Sequence, residues 1–202
     1  SFPTRRFSDL LICTATLIAP RLLLTAAHCL PDGAMPTAHF GSAPGDGGAE
    51  VAIAAVRRHP AFDAATLAND LAMALLADDA PAGVTPSPLP PAPLDDGAIG
   101  ATLRLVGFGR TAADDTAAPR KRAGTATLAT LAASELTFTP APSQTCEGDS
   151  GGPAFATVGG VAAIVGVTSS GDAACAASGR DLRVDAYAAA FIAPFVAATS
   201  AG

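Results

Sequence analysis

The chain has 202 residues, half of them hydrophobic, with 12 Lys and Arg against 18 Asp and Glu, enough to bury one substantial core or two smaller ones in contact. A net charge of −6 with a single basic cluster, Arg120-Lys121-Arg122, excludes nucleic acid as a partner, because phosphates demand a basic face. The apolar runs Leu22 to Ala27 and Ala188 to Ala198 are too short or too interrupted for the roughly 18 residues of a membrane span, so no membrane association is expected.

Residues 1–10, Ser-Phe-Pro-Thr-Arg-Arg-Phe-Ser-Asp-Leu, resemble the translation of a common DNA sequencing adapter with Phe7 in place of serine. This segment is expected to be foreign to the protein, with any signal or activation segment not represented. From residue 11 onward, short apolar and β-branched stretches recur: Leu11 to Ile18, Arg21 to Thr25, Val51 to Val56, Leu71 to Leu76, Thr102 to Gly107, Thr125 to Leu131, Glu135 to Thr139, Ala154 to Val158 and Val161 to Thr168. Breakers such as Asp32-Gly33, Gly45 to Gly48, Asp95-Asp96-Gly97 and Gly159-Gly160 separate them, a pattern that predicts an all-β barrel or sandwich.

Between Pro81 and Pro93 the chain is proline-rich. Proline lacks the ladder donor, so 81–97 reads as a linker between two halves, 11–80 and 98–185. Residues 186–198 predict a terminal helix with Tyr187, Phe191, Ile192 and Phe195 on one face, kinked or strained at Pro194.

Chemistry concentrates in three places. Cys146-Glu-Gly-Asp-Ser-Gly-Gly-Pro153 sets Ser150 between glycines, Leu24-Thr-Ala-Ala-His-Cys29 offers His28, and Asn69-Asp-Leu-Ala-Met-Ala-Leu-Leu76 offers Asp70. Together they supply a nucleophile, a general base and an orienting carboxylate. The four cysteines fall into two pairs, Cys13 with Cys29 and Cys146 with Cys175, one flanking each candidate group. Read as bridges they would each stabilise by about 3 to 4 kcal/mol and imply an oxidising compartment. A four-thiolate metal site is the rival reading, disfavoured because no Cys-x-x-Cys spacing is present.

Gly148-x-Ser150-x-Gly152 also fits the nucleophile elbow of α/β-hydrolases, but that fold places its histidine after the serine. Here His28, His39 and His59 all precede Ser150. In the order His, Asp, Ser, the three segments resemble the signatures of the trypsin/chymotrypsin family of serine proteases, over about residues 11–198. The cysteine pairs are similar to two of that family's bridges.

The resemblance implies an all-β fold of two antiparallel six-stranded-type barrels with a C-terminal helix. The segment ahead of Cys13 is about half the family's length, so the first strand of the N-terminal barrel, 11–80, is expected to be missing; 98–185 would form the other barrel and 186–202 the helix and tail. It further implies a serine endopeptidase working through an acyl-enzyme, with Ser150 as nucleophile, His28 as base and Asp70 as orienting carboxylate. The N–H groups of Gly148 and Ser150 would form the oxyanion hole.

Asp149 occupies the position that in the family pairs with an N-terminal amine released by activation, although no Ile-Val-Gly-Gly segment is present. The family's pocket base falls on Gln144, with walls from Ser169, Gly171 and Gly179. A neutral base leaves a lysine or arginine desolvated and unpaired, so an uncharged side chain is expected before the scissile bond. Arg180 is near enough in sequence to offer a positive charge, which would instead favour an acidic one. No cofactor or metal is implied. A protein or peptide substrate, a proteinaceous inhibitor, a monomeric state and a secreted or periplasmic location are. The competing readings are an inactive binding protein on the same scaffold and an acyl or ester hydrolase.

Overall fold

The computed structural model describes residues 12–33 and 35–200; the adapter-like segment 1–10 lies outside them. Eleven strands are formed by the described residues, five in the N-terminal half and six in the C-terminal half.

In the first half β1 (Thr16–Ala19), β2 (Leu22–Thr25), β3 (Thr37–Phe40), β4 (Ala49–Arg58) and β5 (Ala72–Leu76) make one antiparallel sheet in the order β1-β2-β5-β4-β3. The expected six-stranded barrel is here an open half-barrel, because among the described residues β1 pairs only with β2 and β3 only with β4. β2 reads as an unbroken apolar run because both of its faces are covered. Leu23 joins Leu17, Ile53, Ala74 and Leu76 inside the half-barrel. Leu22 and Leu24 point the other way, into the seam between the halves.

The second half closes. β6 (Thr102–Gly107), β7 (Arg122–Leu131), β8 (Glu135–Pro140), β9 (Pro153–Val158), β10 (Val161–Gly171) and β11 (Gly179–Arg183) form a barrel in the order β10-β11-β8-β7-β6-β9. Alternate residues such as Leu103, Leu105, Leu128, Leu136, Phe138 and Val165 fill its interior.

Two strands escape the hydrophobic pattern. β3 is short and carries His39, and β11 holds three ionisable residues in five, Arg180, Asp181 and Arg183. Both arginines are compensated, Arg180 by Glu135 at 2.9 Å and Arg183 by Asp185 at 2.6 Å.

The predicted terminal helix is present in three pieces: α1 (Val184–Tyr187), a π-helical turn at Ala188–Ile192 and α2 (Ala193–Ser200). The widened turn lies immediately ahead of Pro194 and relieves the clash between its ring and the carbonyl four residues earlier. Tyr187, Phe191 and Ile192 are buried in the seam with Leu22, Leu24, Leu71 and Met73 of the half-barrel and Ile164, Val167 and Leu182 of the barrel, and Phe195 packs against them. The helical segment thereby locks the two halves together. Among the described residues no helix is long and apolar enough to cross a membrane.

The proline-rich segment runs between the halves without a strand. Ser87 N–H donates to Leu17 of β1, and the carbonyl of Pro88 accepts from Ile164 of β10.

Candidate active site

His28 sits in a one-turn 3-10 helix, Ala27–Cys29, that begins where β2 ends. Two donors of this residue meet one carboxylate: its backbone N–H reaches Asp70 Oδ1 at 2.8 Å, and its ring Nδ1 reaches Oδ2 at 2.7 Å. A third donor, the Ser169 hydroxyl on β10, reaches Oδ2 at 2.6 Å. Asp70 itself is 0% exposed. Burial pushes its pKa up, but the hydrogen bonds from the His28 ring, Ser169 and the His28 backbone outweigh this and leave it below the usual carboxylate value. A carboxylate so held accepts the Nδ1 proton, which leaves Nε2 of a neutral imidazole as a proton acceptor.

The residue before Asp70 is also fixed. Asn69 adopts a positive φ of 54°, which asparagine tolerates well. Its amide donates to the carbonyl of Ala61, and its side-chain oxygen accepts from Tyr187 of α1 at 3.0 Å.

Ser150 occupies a tight turn between Gly148, at φ 98°, and Gly151, at φ 81°. Its carbonyl accepts from Thr14 N–H at 2.8 Å, and the Thr14 hydroxyl donates to the carbonyl of Gly148 at 3.0 Å. On the other side Gly151 N–H donates to Thr168 and Thr168 N–H to Gly152. A Cβ on Gly151 would run into the Thr25 hydroxyl and the Thr14 carbonyl, so only glycine allows this approach of the halves. Among the described residues the N–H groups of Gly148 and Ser150 have no protein acceptor, as an anion site built from backbone donors requires.

The bridge Cys13–Cys29 ties the segment of Thr14 to the His28 turn within the N-terminal half. Cys29 Sγ lies 3.8 Å from His28 Nε2 and 3.6 Å from the Ser150 carbonyl oxygen. Among the described residues no hydrogen bond joins the Ser150 hydroxyl to His28. Cys13, His28 and Cys29 are close enough to suggest a metal site, but both sulfurs are committed to the bridge and offer no thiolate.

Two cavities flank the turn. One, of about 200 Å³, is lined by Ser150, Thr145, Thr168, Ser170, Gly171 and Asp172, among others. The other, of about 380 Å³, is lined by Gln144, Asp149, Gly109, Arg110 and Arg122, among others. The second bridge, Cys146–Cys175, borders both.

Asp149 receives N–H donors from Gly109 at 2.8 Å and Cys146 at 2.9 Å. Burial nonetheless pushes its pKa up, with those donors and the charge of Arg122 opposing. Gln144 opens onto the larger cavity rather than onto the one that holds Ser150. Of the other residues read as pocket walls, Gly171 lines the Ser150 cleft. Gly179 is its cross-strand partner and packs on the Phe138 ring. Ser169 is turned to Asp70. Arg180 is tied to Glu135 and, at 2.9 Å, to the Ser170 hydroxyl.

His39 lies 3.2 Å from Asp46, and His59 packs edge-on against Tyr187 and Phe191 with ring centroids 5.3 and 5.0 Å apart. Neither ring contacts His28, Asp70 or Ser150 among the described residues; His59 instead braces the segment around Asp70 from behind, through Tyr187 and through its own N–H to the carbonyl of Leu71.

Sequence reasoning missed the Thr14 and Thr25 bonds that brace the serine turn, for which the signals are the place of Thr14 beside Cys13 and of Thr25 in the His28 segment, and it missed the buried Asp181 on β11. A search of characterised proteins finds no match to the chain. The family model described as Trypsin matches residues 4–192, and together with the β architecture this shows that the chain belongs to the trypsin/chymotrypsin family of serine proteases.

Proposed function

We propose that this serine-type peptidase is an endopeptidase in which Ser150, His28 and Asp70 form the catalytic triad. One observation carries the reading: a single buried carboxylate holds both the backbone N–H and the Nδ1 of His28, which fixes the ring and its tautomer. In the reaction the Ser150 hydroxyl passes its proton to His28 Nε2 as Oγ bonds to the scissile carbonyl carbon. The oxygen that becomes negative is received by the N–H groups of Gly148 and Ser150. The tetrahedral species collapses when His28⁺ returns the proton to the departing amine, leaving an ester on Ser150. Water, deprotonated by the same imidazole, then releases the acid and restores the serine.

The pocket beside Ser150 takes an uncharged side chain, a preference supported by the commitment of Arg180 to Glu135, which leaves that guanidinium no free charge to offer an acidic one. Asp149, half enclosed in the larger cavity, is the residue we assign to activation by an amine. Two bridges support a secreted or periplasmic location. A monomer acting on protein or peptide substrates, and subject to protein inhibitors, completes the reading.

The test is a fluorophosphonate probe with matched peptide and ester substrates. Labelling confined to Ser150 and lost in Ser150→Ala, with peptide turnover reduced about 10⁶-fold and melting unchanged, is the expected result. A folded protein that does not label would be a binding protein on this scaffold. Turnover of the ester alone would make it an acyl hydrolase.

A further inference from the structure

Thr14 is 3% exposed, and each of its polar atoms is engaged. Its backbone N–H donates to the Ser150 carbonyl at 2.8 Å, and its own carbonyl accepts from the Thr25 hydroxyl at 2.8 Å. The Thr14 hydroxyl accepts from Phe108 N–H at 3.1 Å and gives its single proton to the Gly148 carbonyl at 3.0 Å. Phe108 directly follows β6, so one buried side chain joins the N-terminal half to two segments of the other.

The serine turn is built from successive peptide planes. In the plane before Gly148 the Glu147 carbonyl accepts from Arg110 N–H at 2.9 Å, and in the plane after Asp149 the Asp149 carbonyl accepts from Gly152 N–H at 2.8 Å. A trans peptide sets its N–H opposite its carbonyl, so these two bonds aim the N–H groups of Gly148 and Ser150, the donors assigned to the oxyanion. The plane between them links the two. Its N–H, from Asp149, donates to the Cys146 carbonyl at 3.0 Å, and its carbonyl, from Gly148, is held by Thr14. Of these bonds only that of Thr14 comes from the half that carries His28. Gly148, at φ 98°, is the joint between the first plane and the middle one, and glycine resists rotation there very little.

We propose that Thr14 is a positioning residue for the oxyanion donors: its hydroxyl holds the Gly148 carbonyl so that the N–H groups of Gly148 and Ser150 converge on one point. This inference rests on the serine endopeptidase reading and adds a residue to the machinery of that same site. The bridge Cys13–Cys29 and the Thr25 bond fix Thr14 to the segment that ends in His28, so the base and the donors share one frame. Charge on the substrate oxygen develops only as Ser150 adds to the carbonyl. Misaimed donors are therefore felt in the transition state and hardly in substrate binding.

The experiment compares the unmodified protein with Thr14→Val, which keeps the shape and loses the hydroxyl, and with Thr14→Ser, which keeps the hydroxyl. In Thr14→Val kcat on a peptide substrate should fall at least about tenfold with KM little moved, and Thr14→Ser should recover most of that loss. A peptide aldehyde reads the same donors, because its carbonyl oxygen takes up charge when Ser150 Oγ adds to its carbon. Its affinity should weaken in Thr14→Val by the same factor as kcat, whereas the matching peptide alcohol, which forms no adduct, should bind as before. Unchanged kcat in Thr14→Val, or an equal loss for aldehyde and alcohol, overturns the proposal. If Thr14→Val does not fold, the unmodified protein decides. The Thr14 hydroxyl proton should give a slowly exchanging NMR signal that shifts with the aldehyde and not with the alcohol, and a signal that exchanges freely or ignores the aldehyde overturns the proposal. An unmodified protein that neither labels at Ser150 with fluorophosphonate nor cleaves peptides removes the endopeptidase reading and Thr14 with it. Labelling of Thr14→Val at the unmodified rate removes Thr14 alone.

Discussion

The two halves hold their charges by opposite means. The half-barrel is open at β1 and β3, yet its buried acid, Asp70, is satisfied three times over, twice by His28 and once by Ser169 across the seam. The barrel is closed and densely filled, yet among the described residues neither carboxylate oxygen of its buried acid, Asp181, closes a hydrogen bond, although the Thr168 hydroxyl lies near. Closure of a sheet thus says nothing about where polar groups are stabilised. A carboxylate with donors converts burial into orientation, whereas one without donors converts burial into a raised pKa.

The sharpest way to break this contrast is Asp70→Asn, which keeps shape but donates where it should accept. Turnover should fall by about 10⁴-fold through loss of the correct tautomer, with Ser150 labelling slowed to match. An Asp70→Asn protein that turns over within about tenfold of normal would show that the three donors are merely structural.

Stability against pH separates the two acids next. Asp70 has a lowered pKa, so its contribution is present above the ordinary carboxylate value and fades as pH drops through the folded one. Asp181 is reversed: from its ordinary 3.8 to about 8 the folded state holds a proton that the unfolded state has lost, so stability declines as pH rises through that window. Urea unfolding of Asp181→Asn should match the parent near about pH 4 and exceed it near about pH 9 by a few kcal/mol. Equal stabilities at the higher pH would mean the carboxyl finds partners.

The smallest change is Ser169→Ala, which takes one donor of three from Asp70. A loss of about tenfold in kcat with KM little moved is expected, consistent with one hydrogen bond to a charged group. A change in KM alone would instead make Ser169 a wall of the substrate cleft.

Much of the fold was legible because strands covered on one or both faces leave apolar runs; β6 spans Thr102–Gly107 as read, and most other strands share one end with the reading and differ by one to three residues at the other. β11 was not, because Arg180 and Arg183 answer to ion pairs and Asp181 faces an interior that only the closed barrel creates. Nor could the sequence show that the N-terminal sheet stays open among the described residues, since strand closure depends on pairing partners rather than on local propensity. In the candidate site, the chain order of His28, Asp70 and Ser150 and the grouping of cysteines were readable as chemistry, and the structure joins His28 to Asp70 and forms both bridges.

The direction of each side chain was not readable in the same way. β10 carries a register shift between Thr168 and Ser170, and at such an irregularity the alternation of faces breaks. That break turns the Ser169 hydroxyl to Asp70 and leaves Thr168, Ser170 and Gly171 along the cleft. The sequence by itself determined which reactive groups the chain carries and in what order, because residue types and short motifs are local. Which acid is paired, which is stranded and which cavity Gln144 borders were decided by register and burial, which exist only once distant strands have met.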